Sequence, residues 1–244
     1  MRRFRAALVG VGLSLVLSAC AGGQHAIRQS AGVAVIKQRA ALILSYPHDH
    51  HVFGELPSGL APVSAATAEL ERHAGHVDGT IETRIRPGHV GKLVAVVINH
   101  PAACTVPTPG GACGPHEEEF NPEADGGFYL GSGDVAGPDG RIRLTVRARA
   151  GDTSNVLCRG AANPLFDACA RGFSLRDPRG AEVALVVLDN GPAADDVATL
   201  ARQLAAITPC PTCPSFTVQV AIGFGREPQA SSRLPQQGLD HRVG

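Results

Sequence analysis

Arg141-Ile142-Arg143-Leu144-Thr145-Val146-Arg147-Ala148-Arg149-Ala150 decides the fold class. Ile142, Leu144, Val146 and Ala148 fall on one side of an extended chain, and Arg141, Arg143, Thr145, Arg147 and Arg149 on the other. Such alternation marks a half-buried strand, because successive side chains leave a strand in opposite directions. Pro138-Asp139-Gly140 just ahead is turn chemistry: proline presets one dihedral and glycine accepts the left-handed one. Gly126 to Ala136 precedes it as a second strand, with Phe128, Leu130 and Val135 as apolar positions and glycines that suit a bulge. Residues 129–148 therefore read as a β-hairpin.

The same rhythm continues upstream and downstream. Thr67 to Arg72 and Val77 to Arg86 read as two strands around the turn His73-Ala74-Gly75-His76. In the second, Ile81, Thr83 and Ile85 share one face and Thr80, Glu82 and Arg84 the other. Val90 to Asn99 is apolar on both faces after Lys92, which predicts a central strand covered on each side. Gly180 to Asp189 predicts another. Asp195 to Ile207 is the best helix, with Asp195 and Asp196 at its positive end and Val197, Leu200, Leu204 and Ile207 at helical spacing. Ser215 to Phe224 closes the set, with Phe216, Val218, Val220 and Ile222 on one face. Val33 to Tyr46 is apolar with basic interruptions, and periodicity leaves strand and short helix both open. About seven short strands with one late helix predict a mainly β protein, an antiparallel β-sandwich with long disulfide-stapled loops.

At the N-terminus, Arg2, Arg3 and Arg5 precede an apolar run from Ala6 to Leu17, and Leu17-Ser18-Ala19-Cys20 follows. The run is too short to span a bilayer comfortably. The layout resembles a bacterial lipoprotein signal peptide, in which residues 1–19 are removed and Cys20 is acylated. Two or three acyl chains anchor stably where one is marginal. The resemblance implies a cell-envelope location, and the uncharged Ala21 favours the outer membrane if the cell has two. The expected organisation is a signal peptide at 1–19, a tether and N-terminal extension at 20–64, a β-sandwich domain at 65–224 and a disordered tail at 225–244.

Removing residues 1–19 takes away three arginines and no acid, which leaves 19 basic against 22 acidic residues. That mild balance excludes nucleic acid as the expected partner. Two tyrosines and no tryptophan leave little aromatic surface for stacking sugars or bases. The expected partners are the membrane, through the lipid, and an unidentified envelope ligand or protein.

Of seven cysteines, six remain once Cys20 is set aside. Six allow 15 connectivities, and their spacing favours local pairs: Cys104–Cys113, Cys158–Cys169 and Cys210–Cys213. Cys210-Pro211-Thr212-Cys213 has the spacing of a thiol redox motif. It follows a helix instead of opening one, so no positive helix end stabilises a thiolate, and a staple is the preferred reading over a redox protein.

His48-Asp49-His50-His51 is the densest polar cluster. Imidazoles bind zinc or copper, so His48, His50 and His51 form the candidate metal site, which His73, His76 or His116 would reinforce from a second segment. Without such an ion no cofactor is expected. His116-Glu117-Glu118-Glu119 offers oxygen atoms for calcium but reads as a solvated charge run. Asp152-Thr153-Ser154 reads as a side-chain-closed turn, and Ser154 lacks the context of a hydrolase nucleophile. Gly131-Ser132-Gly133 lacks the rest of a nucleotide fingerprint. No catalytic constellation emerges.

Several pieces from His89 to Phe224 occur together in order: Val96-Val97-Ile98-Asn99-His100-Pro101, Gly131-Ser132-Gly133-Asp134-Val135, Arg149-Ala150-Gly151-Asp152-Thr153-Ser154 and Asp177-Pro178-Arg179-Gly180-Ala181-Glu182-Val183. With Cys104, Cys113, Cys210 and Cys213, they resemble a family of uncharacterised secreted or lipid-anchored bacterial proteins, and more loosely the chordin-type (CHRD) β-sandwiches. That resemblance implies the fold and supplies no activity. Members often carry histidines where this chain has Ala184 and Asn190, so it argues against a strand-borne metal site of the Cu/Zn dismutase kind.

Overall fold

The computed structural model describes residues 34–40, 42–48, 61–105, 113, 121–158, 168–206, 216–222 and 224. Among them are ten strands and one helix. The strands are β1 (Ile36–Arg39), β2 (Leu42–His48), β3 (Ala61–Pro62), β4 (Thr67–Arg72) and β5 (His76–Arg84), then β6 (His89–Ile98), β7 (Gly126–Val135), β8 (Arg141–Arg149), β9 (Glu182–Pro192) and β10 (Phe216–Ile222). Helix α1 (Val197–Ala205) lies between the last two.

The strands form a four-stranded sheet, β1-β4-β5-β8, and a six-stranded sheet, β3-β2-β10-β9-β6-β7. Each pairing within them is antiparallel. One apolar cluster joins the two: Leu70, Val77, Ile81, Leu144 and Val146 from the smaller sheet meet Leu93, Val97, Tyr129, Leu185 and Val187 from the larger. The chain is thus the expected antiparallel sandwich, built from more strands than the seven anticipated. Alternation in β8 becomes burial alternation, with Ile142, Leu144, Val146 and Ala148 inside and the arginines outside. The continuous apolar run of β6 has its own cause. Leu93, Ala95 and Val97 enter the inter-sheet core, while Val94 and Val96 join Phe128, Val186 and Leu188 in a second cluster.

Strands β4 and β5 form the expected hairpin, with Arg72 opposite Val77 and Thr67 opposite Glu82. The expected hairpin over 129–148 does not form. Strand β7 pairs with β6, and β8 pairs along nine residues with β5, so the two belong to different sheets. The Pro138-Asp139-Gly140 turn therefore crosses from one layer to the other. The Gly137 N–H donates to the Arg141 carbonyl at 3.0 Å, and the Ile85 N–H donates to the Gly140 carbonyl at 3.0 Å. The β7 and β8 backbones approach at the bulge: Gly131 and Ser132 both oppose Leu93, and the Thr145 N–H donates to Ser132 Oγ at 2.9 Å.

The sheets also take in residues ahead of the expected boundary at 65. The 33–46 segment, left open between strand and helix, supplies β1 to one sheet and most of β2 to the other. In β10, Gln219 and Ala221 are buried toward the core side, while Val220, on the alternate face expected to be apolar, packs with the outer cluster. Helix α1 is capped by Asp196, whose side chain accepts the Thr199 N–H at 2.8 Å. Of its expected apolar positions, Leu200 and Leu204 are half-buried, Val197 is 83% exposed, and Ile207 lies outside the described residues.

Buried polar groups hold loops to the sheet ends, as an interior with little free water requires. The Tyr129 hydroxyl donates to the Asp152 carbonyl at 3.0 Å and accepts the Leu175 N–H at 2.7 Å. Asn99 donates to Asp125 Oδ2 and the Ser174 carbonyl, and its Oδ1 accepts the Arg176 N–H, each at 2.9 Å. Thr83 and Gln219 bond across the sandwich, and Gln219 Nε2 also donates to the Arg84 carbonyl at 2.7 Å.

Candidate functional site

The sequence Glu71-Arg72-His73-Ala74-Gly75-His76-Val77-Asp78 is a near mirror image about its turn. The His73 N–H donates to the His76 carbonyl at 2.9 Å, which closes the hairpin. Folding about Ala74-Gly75 sets Glu71 directly opposite Asp78 and brings the two histidines together on the same outward face. Arg72 and Val77 between them turn inward to the core. The imidazoles stack with centroids 4.2 Å apart and planes 8° apart.

The row through this face extends across the sheet. Lys37 lies opposite Glu71, Glu71 opposite Asp78, and Asp78 opposite Arg147. Two carboxylates side by side repel, and the outer cations offset that. Lys37 Nζ bonds Glu71 Oε1 at 2.5 Å. Arg147 grips Asp78 with two bonds, Nε to Oδ1 at 2.5 Å and an Nη to Oδ2 at 2.8 Å. Burial pushes the Asp78 carboxyl up, but the Arg147 hydrogen bonds and charge, with His76 and His73, outweigh this and hold it below the ordinary value. The Lys37 hydrogen bond likewise lowers Glu71.

Within this frame His76 Nε2 lies 3.3 Å and His73 Nε2 3.6 Å from Asp78 Oδ2. His73 Nε2 is also 3.7 Å from Glu71 Oε2. It is shielded from solvent and has no hydrogen-bond partner. One ligand atom each from His73, His76 and Asp78 fits within 4.8 Å of the others.

The sequence-derived sites fare unevenly. Cys104–Cys113 and Cys158–Cys169 are disulfides, with Cα atoms 5.3 Å apart in both. Each closes a short loop and contributes about 2–3 kcal/mol in the chain-entropy account. Asp152 Oδ1 accepts the Ser154 N–H at 2.8 Å, so that segment is the expected side-chain-closed turn. Of the proposed metal loop, His48 ends β2 opposite Phe216, while His50 and His51 lie outside the described residues. Cys20 and the leader, Cys210 and Cys213, His116 to Glu119 and the 225–244 tail also lie outside them. His73 and His76 were legible as auxiliary ligands, but Asp78 was missed. Reflecting the sequence about the Ala74-Gly75 turn would have found it.

Two further interior polar groups bond within the sandwich. His89 Nδ1 lies 2.8 Å from Asp189 Oδ1, which also accepts the Gly191 N–H at 2.9 Å. Lys92 Nζ donates to the Gly131 carbonyl at 2.8 Å, and burial lowers its pKa. Comparison with family models, curated proteins and solved structures finds no match to this chain.

Proposed function

We propose that the chain is an exported, lipid-anchored protein of a bacterial cell envelope. It acts as a binding or structural module and not as an enzyme. The observation that carries this reading is Leu17-Ser18-Ala19-Cys20 after a basic head and a short apolar run. The two disulfides support it, since such bonds form and persist in oxidising compartments. The interior polar groups support the non-enzymatic part: Arg72, Asn99, Tyr129 and Gln219 are engaged in fastening loops and strands. The outer face of the smaller sheet carries reciprocal charge pairs, Lys37–Glu71, Arg39–Glu69, Arg143–Glu82 and Arg147–Asp78, which suit a soluble surface on a tethered domain.

Metabolic labelling with an alkyne fatty acid tests the anchor. The full chain incorporates label in a bacterial host, and Cys20→Ser abolishes it. Equal labelling of both forms, or none of either, contradicts the proposal.

A further inference from the structure

We infer that His73, His76 and Asp78 form a binding site for one divalent ion of the zinc and copper class. The site uses none of His48, His50 and His51 and does not depend on the lipid anchor. A tetrahedral ion with bonds of about 2.0–2.2 Å to nitrogen and oxygen holds its ligand atoms about 3.3–3.6 Å apart. The His76–Asp78 and His73–Asp78 separations, 3.3 and 3.6 Å, fall on that spacing. The set is two imidazoles and one carboxylate, chemistry that suits zinc and copper and offers little to calcium or magnesium.

Three further features of the site fit an ion. His73 Nε2 is shielded from solvent without a hydrogen bond, and a coordinate bond would satisfy it. The Arg147 fork fixes the Asp78 carboxylate in place, as outer partners commonly fix metal-bound carboxylates. Glu71 Oε2 lies 3.7 Å from His73 Nε2, close enough for its carboxylate to supply a fourth ligand. The ligands flank a two-residue turn inside a regular ladder, so the sheet holds their backbones in place, and the stacked imidazoles must rotate about their side-chain bonds to aim both Nε2 atoms at one ion.

The test uses the full chain, purified in detergent through a tag without histidine and stripped with chelator. His48, His50 and His51 are changed to Ala to remove the other histidine cluster. Calorimetric titration with zinc and with copper gives one ion per chain, copper binding more tightly. Adding His73→Ala and His76→Ala weakens binding by about 100-fold or more, since loss of even an outer partner costs about 10–100-fold. Copper bound to the triple-Ala chain shows two nitrogen donors by electron paramagnetic resonance, a readout that needs no second variant to fold. Undiminished binding after the His73 and His76 changes, no binding in the triple-Ala chain, or an oxygen-only copper spectrum each overturns the inference.

Discussion

Arg72→Met lowers the unfolding free energy by about 3–5 kcal/mol. Arg72 is 1% exposed, and its guanidinium reaches four acceptors in three segments. Nε donates to Gln38 Oε1 at 2.7 Å, one Nη to the carbonyls of Pro178 and Ala181 at 2.9 and 2.8 Å, and the other Nη to the Phe224 carbonyl at 3.3 Å. These acceptors belong to β1, the segment leading into β9, and the chain just beyond β10. Burial lowers the Arg72 pKa, and the nearby charges of Asp177 and Glu182 act against that. Methionine keeps the aliphatic stem and orphans three carbonyls at about 1–3 kcal/mol each, less the relief of no longer desolvating a cation. Arg72→Lys recovers little, because one ammonium cannot span acceptors arranged for a planar fork. Urea unfolding followed by far-ultraviolet circular dichroism gives the number. A loss under about 1 kcal/mol for Arg72→Met would mean that these bonds do not join the segments.

Gly140→Val destabilises by about 2–5 kcal/mol. Gly140 has φ of +77°, and a Cβ there would sit 2.4 Å from the Ile85 carbonyl oxygen. A left-handed conformation costs an ordinary residue about 1–2 kcal/mol, and a clash with backbone adds about 1–3 kcal/mol. Ile85 cannot retreat cheaply, because its own N–H donates to the Gly140 carbonyl. The position is the crossover between the sheets, so the damage falls on the joint between β5 and β8. Gly137→Ala is the control: its Cβ would meet nothing closer than Asp139 Oδ1 at 3.3 Å, and it leaves stability nearly unchanged. Equal effects at 137 and 140 in thermal melts would contradict the crossover geometry.

Gly140 also shows where the sequence stops informing. Alternation in 141–149 identifies which side chains of β8 are buried, since that depends only on a half-covered strand. It does not identify the neighbouring strand. A Pro-Asp-Gly turn serves a hairpin and a crossover equally well, and the choice was made by the ladder that β8 forms with β5, far back in the chain. The same limit affected β1 and β2, which read as one apolar segment and pair in different sheets. Val197 shares helical spacing with Leu200 and Leu204, yet it stands 83% exposed while those two are half-buried, which spacing alone does not tell. By contrast, the β4–β5 hairpin is local. Its turn was legible, and the meeting of His73, His76 and Asp78 follows from the turn by reflection.

The Cys104–Cys113 and Cys158–Cys169 pairs were legible for a related reason. Short spacing inside turn-rich segments leaves each sulfur a near neighbour that needs no knowledge of the sheets.

Intact mass of the protein taken from an envelope fraction, without reductant and after thiol alkylation, tests the export and anchoring of this sandwich most directly. The expected species begins at Cys20, carries the added mass of acyl chains and takes up no alkylating agent. A species that retains Met1, bears no lipid and alkylates at Cys104, Cys113, Cys158 and Cys169 would contradict it.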